Sequence, residues 1–218
     1  EALRYKQKDN VQVHSIFLKA LKDKIKAIRM EAASMIEADK TNEKEVLLAL
    51  QNIINTDTEP NVREKAINRI VRIQKAKSID LLEQIINKDS SYAVIATALT
   101  NLKSYNYTAA YSYATKLSST ENPTLMVAIS KVFKDTTADN LEFFKKAIWL
   151  NSPATAYGNF QSFNEYLEKS DNFILEKGIL FLKDIAKYEE SSYNISSAKQ
   201  IVRNLKFYFD SKAKKDTQ

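Results

Sequence analysis

The amino-acid sequence predicts an all-α fold, a solenoid in which helical hairpins stack into a right-handed superhelix. The first observation behind this prediction is a pattern that recurs at intervals of 34 and 32 residues, the length of two helices and two turns. The second is the helical spacing of apolar residues along the chain, with no competing strand-like alternation. The third is the scarcity of helix breakers, since the 218 residues include only two glycines and three prolines.

The repeat is clearest in the second helix of each predicted hairpin. Asp23, Asp57 and Asp89 each stand five residues before a β-branched residue. An alanine and then a large aliphatic residue follow at steps of four, so all three positions share one seam of a helix. The aligned residues are Ile28, Val62 and Val94, then Ala32, Ala66 and Ala98, then Ile36, Ile70 and Leu102. Apolar segments at 13–21, 46–54 and 79–86 supply the first helix of each hairpin.

Charged residues of the repeat predict how neighbouring hairpins are joined. Each repeat aspartate is placed to cap the start of its second helix. Arg29 and Arg63 are predicted to reach the aspartate of a neighbouring repeat and so form a ladder, which stops at Ile95 in the third repeat. This D-x4-[VI]-R-x2-A pattern, found within residues 1–105, resembles the HEAT and armadillo-like α-solenoids.

We expect residues 1–218 to form one α-solenoid domain, with regular repeats at about 10–105. From about 106 to 211 the repeat is degenerate and rich in aromatic residues, and it ends in a C-terminal cap. Residues 212–218 are expected to be a frayed tail. The helices predicted in the second half lie near 107–118, 123–134, 138–150, 154–169, 171–187 and 193–211.

The aromatic residues provide the candidate contact surface. The chain has eleven Tyr, ten Phe and one Trp, and only Tyr5 and Phe17 precede residue 92. The segment AIWLNSPATAYGNFQSF concentrates four of them, whose composition suits contact with a partner domain. These are Trp149, Tyr157, Phe160 and Phe163. Core packing between the later helices is the alternative explanation, and the sequence does not separate the two.

The formal charge of +6 permits contact with nucleic acid without requiring it. In VREKAINRIVRIQKAK, Lys65, Arg69, Arg72 and Lys75 cover an arc opposite the apolar residues, which predicts a helix with a solvated basic face. Acidic residues are interspersed through most of the helices, so we expect no nucleic-acid partner.

Scarce residue types also exclude several kinds of chemistry. With no cysteine and one histidine, His14, the chain lacks the ligands of an ordinary zinc site and the members of a nucleophilic triad. His14 is read as a packing residue. Two glycines cannot form a phosphate-binding loop. We therefore expect this chain to be non-catalytic and to hold no cofactor.

The chain contains no membrane-spanning pattern, because its longest uncharged run, 147–164, is interrupted by polar residues and proline. Its opening, EALRYKQKDN, contains neither an initiator methionine nor a signal segment. We therefore expect a piece excised from a longer protein.

The chain as a whole resembles one enzyme family. The segments ALKDKIKAIRMEAASMI, TEPNVREKAINRI, NKDSSYAVIATALTNL, TAAYSYATKL and AYGNFQSFNEYLEKSDNFILEKGILFLKDIAKYEES are similar to the C-terminal helical-repeat domain of bacterial zinc aminopeptidases of the aminopeptidase N type, particularly those of Bacteroidetes. In that family a preceding catalytic domain carries HExxH and a downstream Glu that bind zinc. No catalytic residue of the family falls on this sequence.

The resemblance implies an accessory role. It implies that the partner is the catalytic domain of the same polypeptide, that zinc belongs to that parent enzyme, and that this domain shapes access to the peptide-binding cleft, with peptide substrate a further candidate partner. The parent's compartment stays open between periplasm and cytoplasm. The alternative is a free-standing HEAT-repeat scaffold that binds protein or nucleic acid.

Overall fold

The computed structural model describes residues 11–150 and 153–185, together with residue 196. Within these residues every regular element is a helix. The chain groups into two compact units, Glu1–Tyr113 and Ala114–Gln218, each considered by itself below. That the two form one domain over 1–218 stays a prediction.

The first unit is built from three helical hairpins. In each, two successive helices pack against each other, and the second helices also stack on one another, α2 on α4 and α4 on α6. This arrangement confirms the predicted α-solenoid and its repeat interval. The helices are α1 (Val11–Ala20), α2 (Lys26–Met35), α3 (Glu43–Thr56), α4 (Pro60–Gln74), a 3₁₀ helix (Lys75–Ser78), α5 (Ile79–Lys88), α6 (Tyr92–Tyr105) and α7 (Tyr107–Leu117), which contains the boundary between the units.

The predicted seam forms the core of this stack. The alanines at its centre, Ala32, Ala66 and Ala98, are buried, which lets the second helices approach closely. The aliphatic residues that follow them are completely buried as well. The first position differs between repeats, because Ile28 is 40% exposed whereas Val62 and Val94 are 1% and 0% exposed.

The prediction that the repeat aspartates cap the starts of the second helices is wrong, because they lie two residues before the N-cap positions. The N-cap positions of α2, α4 and α6 are occupied by Ile25, Glu59 and Ser91, each two residues after its aspartate, and none of their side chains makes a capping hydrogen bond. Each aspartate accepts a hydrogen bond from the backbone N–H of that capping residue, at 2.8, 3.0 and 2.8 Å. Such a turn fixes the carboxylate just outside the helix, where it is free to meet a side chain of another repeat.

The second unit contains α8 (Pro123–Phe133), α9 (Leu141–Trp149), α10 (Pro153–Lys169) and α11 (Asn172–Ile185), close to the predicted bounds. Asn122 caps α8 by accepting a hydrogen bond from the N–H of Leu125 at 3.1 Å. The predicted helix at 193–211, except for residue 196, and the predicted tail at 212–218 lie outside the described residues. No described helix of either unit is both long enough and apolar enough to cross a membrane.

Aromatic side chains fill the core of the second unit. The ring of Phe144 packs against those of Phe163 and Tyr166, with centroids 5.2 and 4.8 Å apart. The Tyr166 hydroxyl donates to the carbonyl of Ala138 and accepts from the N–H of Asn140. Burial raises the pKa of Tyr166, because the phenolate would lose its contact with water.

A buried polar contact joins three helices of this unit. Asn159 of α10 accepts a hydrogen bond from the Ser130 hydroxyl of α8 at 2.7 Å. Its amide nitrogen donates to the carbonyl of Ala147 in α9 at 3.1 Å. Asn159 and Ser130 are both completely buried, so this contact specifies how the helices fit together.

Candidate functional site

The first rung of the ladder joins the first two hairpins. The guanidinium of Arg29 donates from Nε and Nη2 to the two carboxylate oxygens of Asp57, at 2.6 and 3.0 Å. Its Nη1 donates to the backbone carbonyl of Asp23, in its own hairpin, at 2.9 Å. A paired, planar contact of this kind fixes orientation as well as distance.

The second rung repeats this geometry between the second and third hairpins. Arg63 donates to the carboxylate of Asp89 at 3.0 and 2.8 Å, and its Nη1 donates to the carbonyl of Asp57 at 2.8 Å. The side chains of Asp57 and Asp89 are only 6% and 10% exposed. Ile95 occupies the next arginine position and is buried in the core.

Charge pairing changes the ionisation of the first rung. Burial alone would raise the pKa of Asp57, but hydrogen bonds from Arg29 and from the backbone of Glu59, with the positive charges of Arg29 and Arg63, bring it below its usual value. The hydrogen bond to Asp57 raises the pKa of Arg29. Both groups are therefore held in their charged forms.

The four aromatic residues of the candidate contact surface divide into two pairs. Trp149 and Tyr157 are 54% and 63% exposed. Phe160 and Phe163 are buried, and Phe163 packs on Phe144 and Tyr166, so including these two in a contact surface was wrong. They occupy the face of α10 that meets its neighbouring helices. The assignment of Trp149 and Tyr157 to a contact surface stays a prediction.

Other exposed apolar side chains of the second unit escaped the sequence analysis. Leu150 follows Trp149, and Phe173 and Leu180 lie seven residues apart on the solvent face of α11. The Lys177 ammonium lies 4.0 Å from the centre of the Phe173 ring. Phe173, Lys177 and Leu180 form a stripe along α11, and their i, i+4, i+7 spacing is the sequence pattern that could have predicted it.

The predicted basic face of α4 is incomplete. Lys65, Arg72 and Lys75 are exposed, but Arg69 is only 4% exposed. Its guanidinium donates to the carbonyls of Met35 and Ile36 at the end of α2 and pairs with Glu37 at 2.9 Å. The prediction that Arg69 is solvated was wrong, because a helix C-terminus presents unpaired carbonyls that attract a cation.

His14 is buried between the first two hairpins. Its Nδ1 lies 3.5 Å from the side-chain nitrogen of Asn42, and its Nε2 lies 3.9 Å from the carboxylate of Glu45. Asn42 in turn donates its backbone N–H to Asp39, whose pKa is lowered chiefly by the Thr41 hydroxyl. Among the described residues, no His, Cys, Asp and Glu side chains group in a way that could hold a metal ion.

An open groove of about 390 Å³ runs between α1 and α3. Its lining includes Leu18, Leu21, Leu48 and Ile53, with Lys22 and Glu45 at its edge. The sequence analysis did not single out this groove, because it is formed between hairpins by residues that each belong to an ordinary apolar helix face.

Comparison with models of known protein families matches residues 14–103 to HEAT repeats. This segment is a HEAT-repeat domain. The HEAT repeats span the three hairpins and contain both arginine–aspartate rungs, so the ladder is internal to the matched segment. No curated protein and no solved structure matches the chain.

Proposed function

We propose that this chain is a non-catalytic HEAT-repeat scaffold that packs on a partner domain through the exposed apolar residues of its second unit. The finer proposal is that the partner is the catalytic domain of a zinc aminopeptidase in the same polypeptide. In this role the helical domain shapes the cleft and limits access of peptide substrate to it. Any zinc belongs to the catalytic domain.

The observation that carries the proposal is the exposure of Trp149, the sole tryptophan, at the end of α9. Its ring meets the edge of Phe181, with centroids 6.3 Å apart, while more than half of its surface stays accessible. A tryptophan that packs on a neighbouring ring and keeps more than half of its surface accessible resembles the preorganised aromatic anchors of protein interfaces. Leu150 beside it adds further exposed apolar surface.

The aminopeptidase assignment rests on the sequence resemblance described above. HEAT repeats alone are compatible with many partners, because a fold supports different functions through different surfaces. The resemblance extends from the first hairpin to α11 and so includes both units. The resemblance is the support for the partner that we propose, and the exposed aromatic residues are the support for the proposed surface.

The rival function, nucleic-acid binding, has less support. Arg69, central to the predicted basic face, is turned inward and paired with Glu37. The other three cations of that face, Lys65, Arg72 and Lys75, are exposed.

The test is binding in trans. The chain is mixed with the catalytic portion of a Bacteroidetes aminopeptidase N that lacks its own helical domain, and association is measured by calorimetry at two salt concentrations. We expect binding that changes little with salt, because buried apolar area is screened weakly. Trp149→Ala should weaken it by about 30-fold, the effect of losing about 2 kcal/mol at an interface anchor.

Two control variants make the test specific. Leu48→Ala removes an equally exposed apolar residue from the first unit, and Lys65→Ala with Arg72→Ala removes exposed cations. Neither variant should change binding by more than about twofold. The proposal fails if Trp149→Ala binds as the parent chain does, or if the double cation variant alone abolishes a strongly salt-dependent complex with duplex DNA or RNA.

A further inference from the structure

The ladder of the HEAT-repeat domain has an unfilled place at its beginning. Asp23 accepts the N–H of Ile25 at 2.8 Å, in the same turn that orients Asp57 and Asp89. Those two carboxylates each receive an arginine from the preceding hairpin. Within the part of the chain that the structure describes, no lysine or arginine forms an ion pair with Asp23. Its carboxylate accepts the same turn hydrogen bond as the others, but no described residue supplies it with an arginine partner.

The apolar side chains of the same hairpin near Asp23 are exposed. Ile28 is 40% exposed, although Val62 and Val94 occupy the same repeat position and are fully covered. Ile25 is also exposed, at the position where the other repeats have the polar residues Glu59 and Ser91. Exposed isoleucine is unfavourable in water, so these residues suit a covered surface.

The other end of the ladder is different in sequence. Ile95 replaces the arginine that would continue it, and Asn122 stands where the next aspartate would be. Both members of the rung are therefore missing there. At the first hairpin the aspartate is present and, among the described residues, its arginine partner is missing, so the two ends are not equivalent.

We infer that the face of the first hairpin, formed by Asp23, Ile25 and Ile28, receives a further helical hairpin of the same repeat type. That hairpin carries an arginine six residues after its own turn aspartate, as Arg29 and Arg63 do. Its Nε and Nη2 bond the carboxylate of Asp23, and its helix covers Ile28. This inference is independent of the proposed function, because it concerns the first unit and holds for any parent protein.

A tandem duplication within the full chain tests the inference. Residues 10–43 are repeated once, so that the upstream copy of Arg29 precedes the downstream Asp23 by 28 residues, as Arg29 precedes Asp57. The added segment supplies a hairpin of known sequence as the probe. A second chain, in which residues 44–76 are inserted before residue 10, supplies Arg63 instead and repeats the test with an independent hairpin.

The first readout is the accessibility of Ile28. Because the chain has no cysteine, Ile28→Cys gives a single thiol, and its rate of maleimide labelling reports exposure. We expect labelling of the downstream site to be at least about tenfold slower in the duplicated chains, since a covered thiol reacts only after local opening. Leu180→Cys, on α11, should label at one rate in all chains.

The second readout is the stability that the new rung between the upstream Arg29 and the downstream Asp23 contributes. Asp23→Asn keeps the oxygen that accepts the turn hydrogen bond but removes the charge. In the parent chain it should change the unfolding equilibrium by less than about twofold. In the duplicated chain we expect Asp23→Asn in the downstream copy to change the unfolding equilibrium by about tenfold, equivalent to about 1.4 kcal/mol. Arg29→Gln in the upstream copy should cost the same, and the double variant no more than either single variant.

Three results would overturn the inference. One is unchanged labelling of Ile28→Cys in both duplicated chains. Another is additive effects of the two rung variants. The third is labelling of Ile28→Cys in the parent chain that slows as protein concentration rises, which would identify a second copy of this chain as the occupant.

Discussion

The rung between Arg63 and Asp89 should be indispensable to the first unit. Arg63→Ala removes the two hydrogen bonds to Asp89, of 3.0 and 2.8 Å, and a third to the carbonyl of Asp57 at 2.8 Å, and it leaves the carboxylate of Asp89 with the N–H of Ser91. Breaking a buried ion pair by removing one partner costs about 3–5 kcal/mol, because the other charge stays buried. A domain is stable by about 5–15 kcal/mol, so this loss is a large fraction of the total.

The assay is urea unfolding followed by far-ultraviolet circular dichroism. Arg72→Ala is the matched control, since Arg72 lies on the same helix and is exposed, and its effect should stay within about 0.5 kcal/mol. Adding Asp89→Asn to Arg63→Ala should restore part of the loss, because the abandoned charge is then removed. If Arg63→Ala and Arg72→Ala unfold at the same urea concentration, the ladder does not stabilise the fold as argued.

The remaining predictions concern packing and pH. Ala66→Leu adds volume where α4 meets its neighbours and should cost about 1–3 kcal/mol in urea unfolding, with a neutral result contradicting the close approach. Asn159→Ala removes the buried hydrogen bonds to the Ser130 hydroxyl and to the carbonyl of Ala147 and should cost about 2–4 kcal/mol, whereas Asn164→Ala, at a less buried site on the same helix, should cost less than about 1 kcal/mol. Asp57→Asn should make the stability of the first unit less sensitive to pH below about 4, measured by urea unfolding across that range.

Helices and hairpins were predictable because their signals are local. The seam of Val62, Ala66 and Ile70 is read from spacing along one helix, and it is buried as that spacing predicts. Arg29 and Asp57 were predicted as partners because the repeat interval itself relates them. What recurs with a fixed period in the sequence recurs with a fixed geometry in the stack.

Burial of Arg69 was not predictable from its own helix. A helical wheel places it with exposed cations, and only the neighbouring hairpin supplies the carbonyls of Met35 and Ile36 that it binds. Tyr157 presents the converse case. It continues the three-residue spacing of Phe160 and Phe163 along α10, but its side chain is exposed whereas theirs are buried. In both cases the burial of the side chain depends on the neighbouring elements and not on the spacing along its own helix.

The two units are each stabilised by different internal interactions, so acid should unfold them at different pH values. In the first unit, the depressed pKa of Asp57 means that its pairing adds stability above about pH 4 and that this stability is lost as pH falls through the folded-state pKa. In the second unit, Lys134–Glu165 and Lys169–Asp135 are partly solvated ion pairs, worth little, around an aromatic core that does not titrate at low pH. Trp149 is the sole tryptophan and reports on the second unit alone, while circular dichroism reports on both. Because acid removes the Arg29–Asp57 rung and leaves the aromatic core, helical signal should fall at a higher pH than the pH at which Trp149 emission changes.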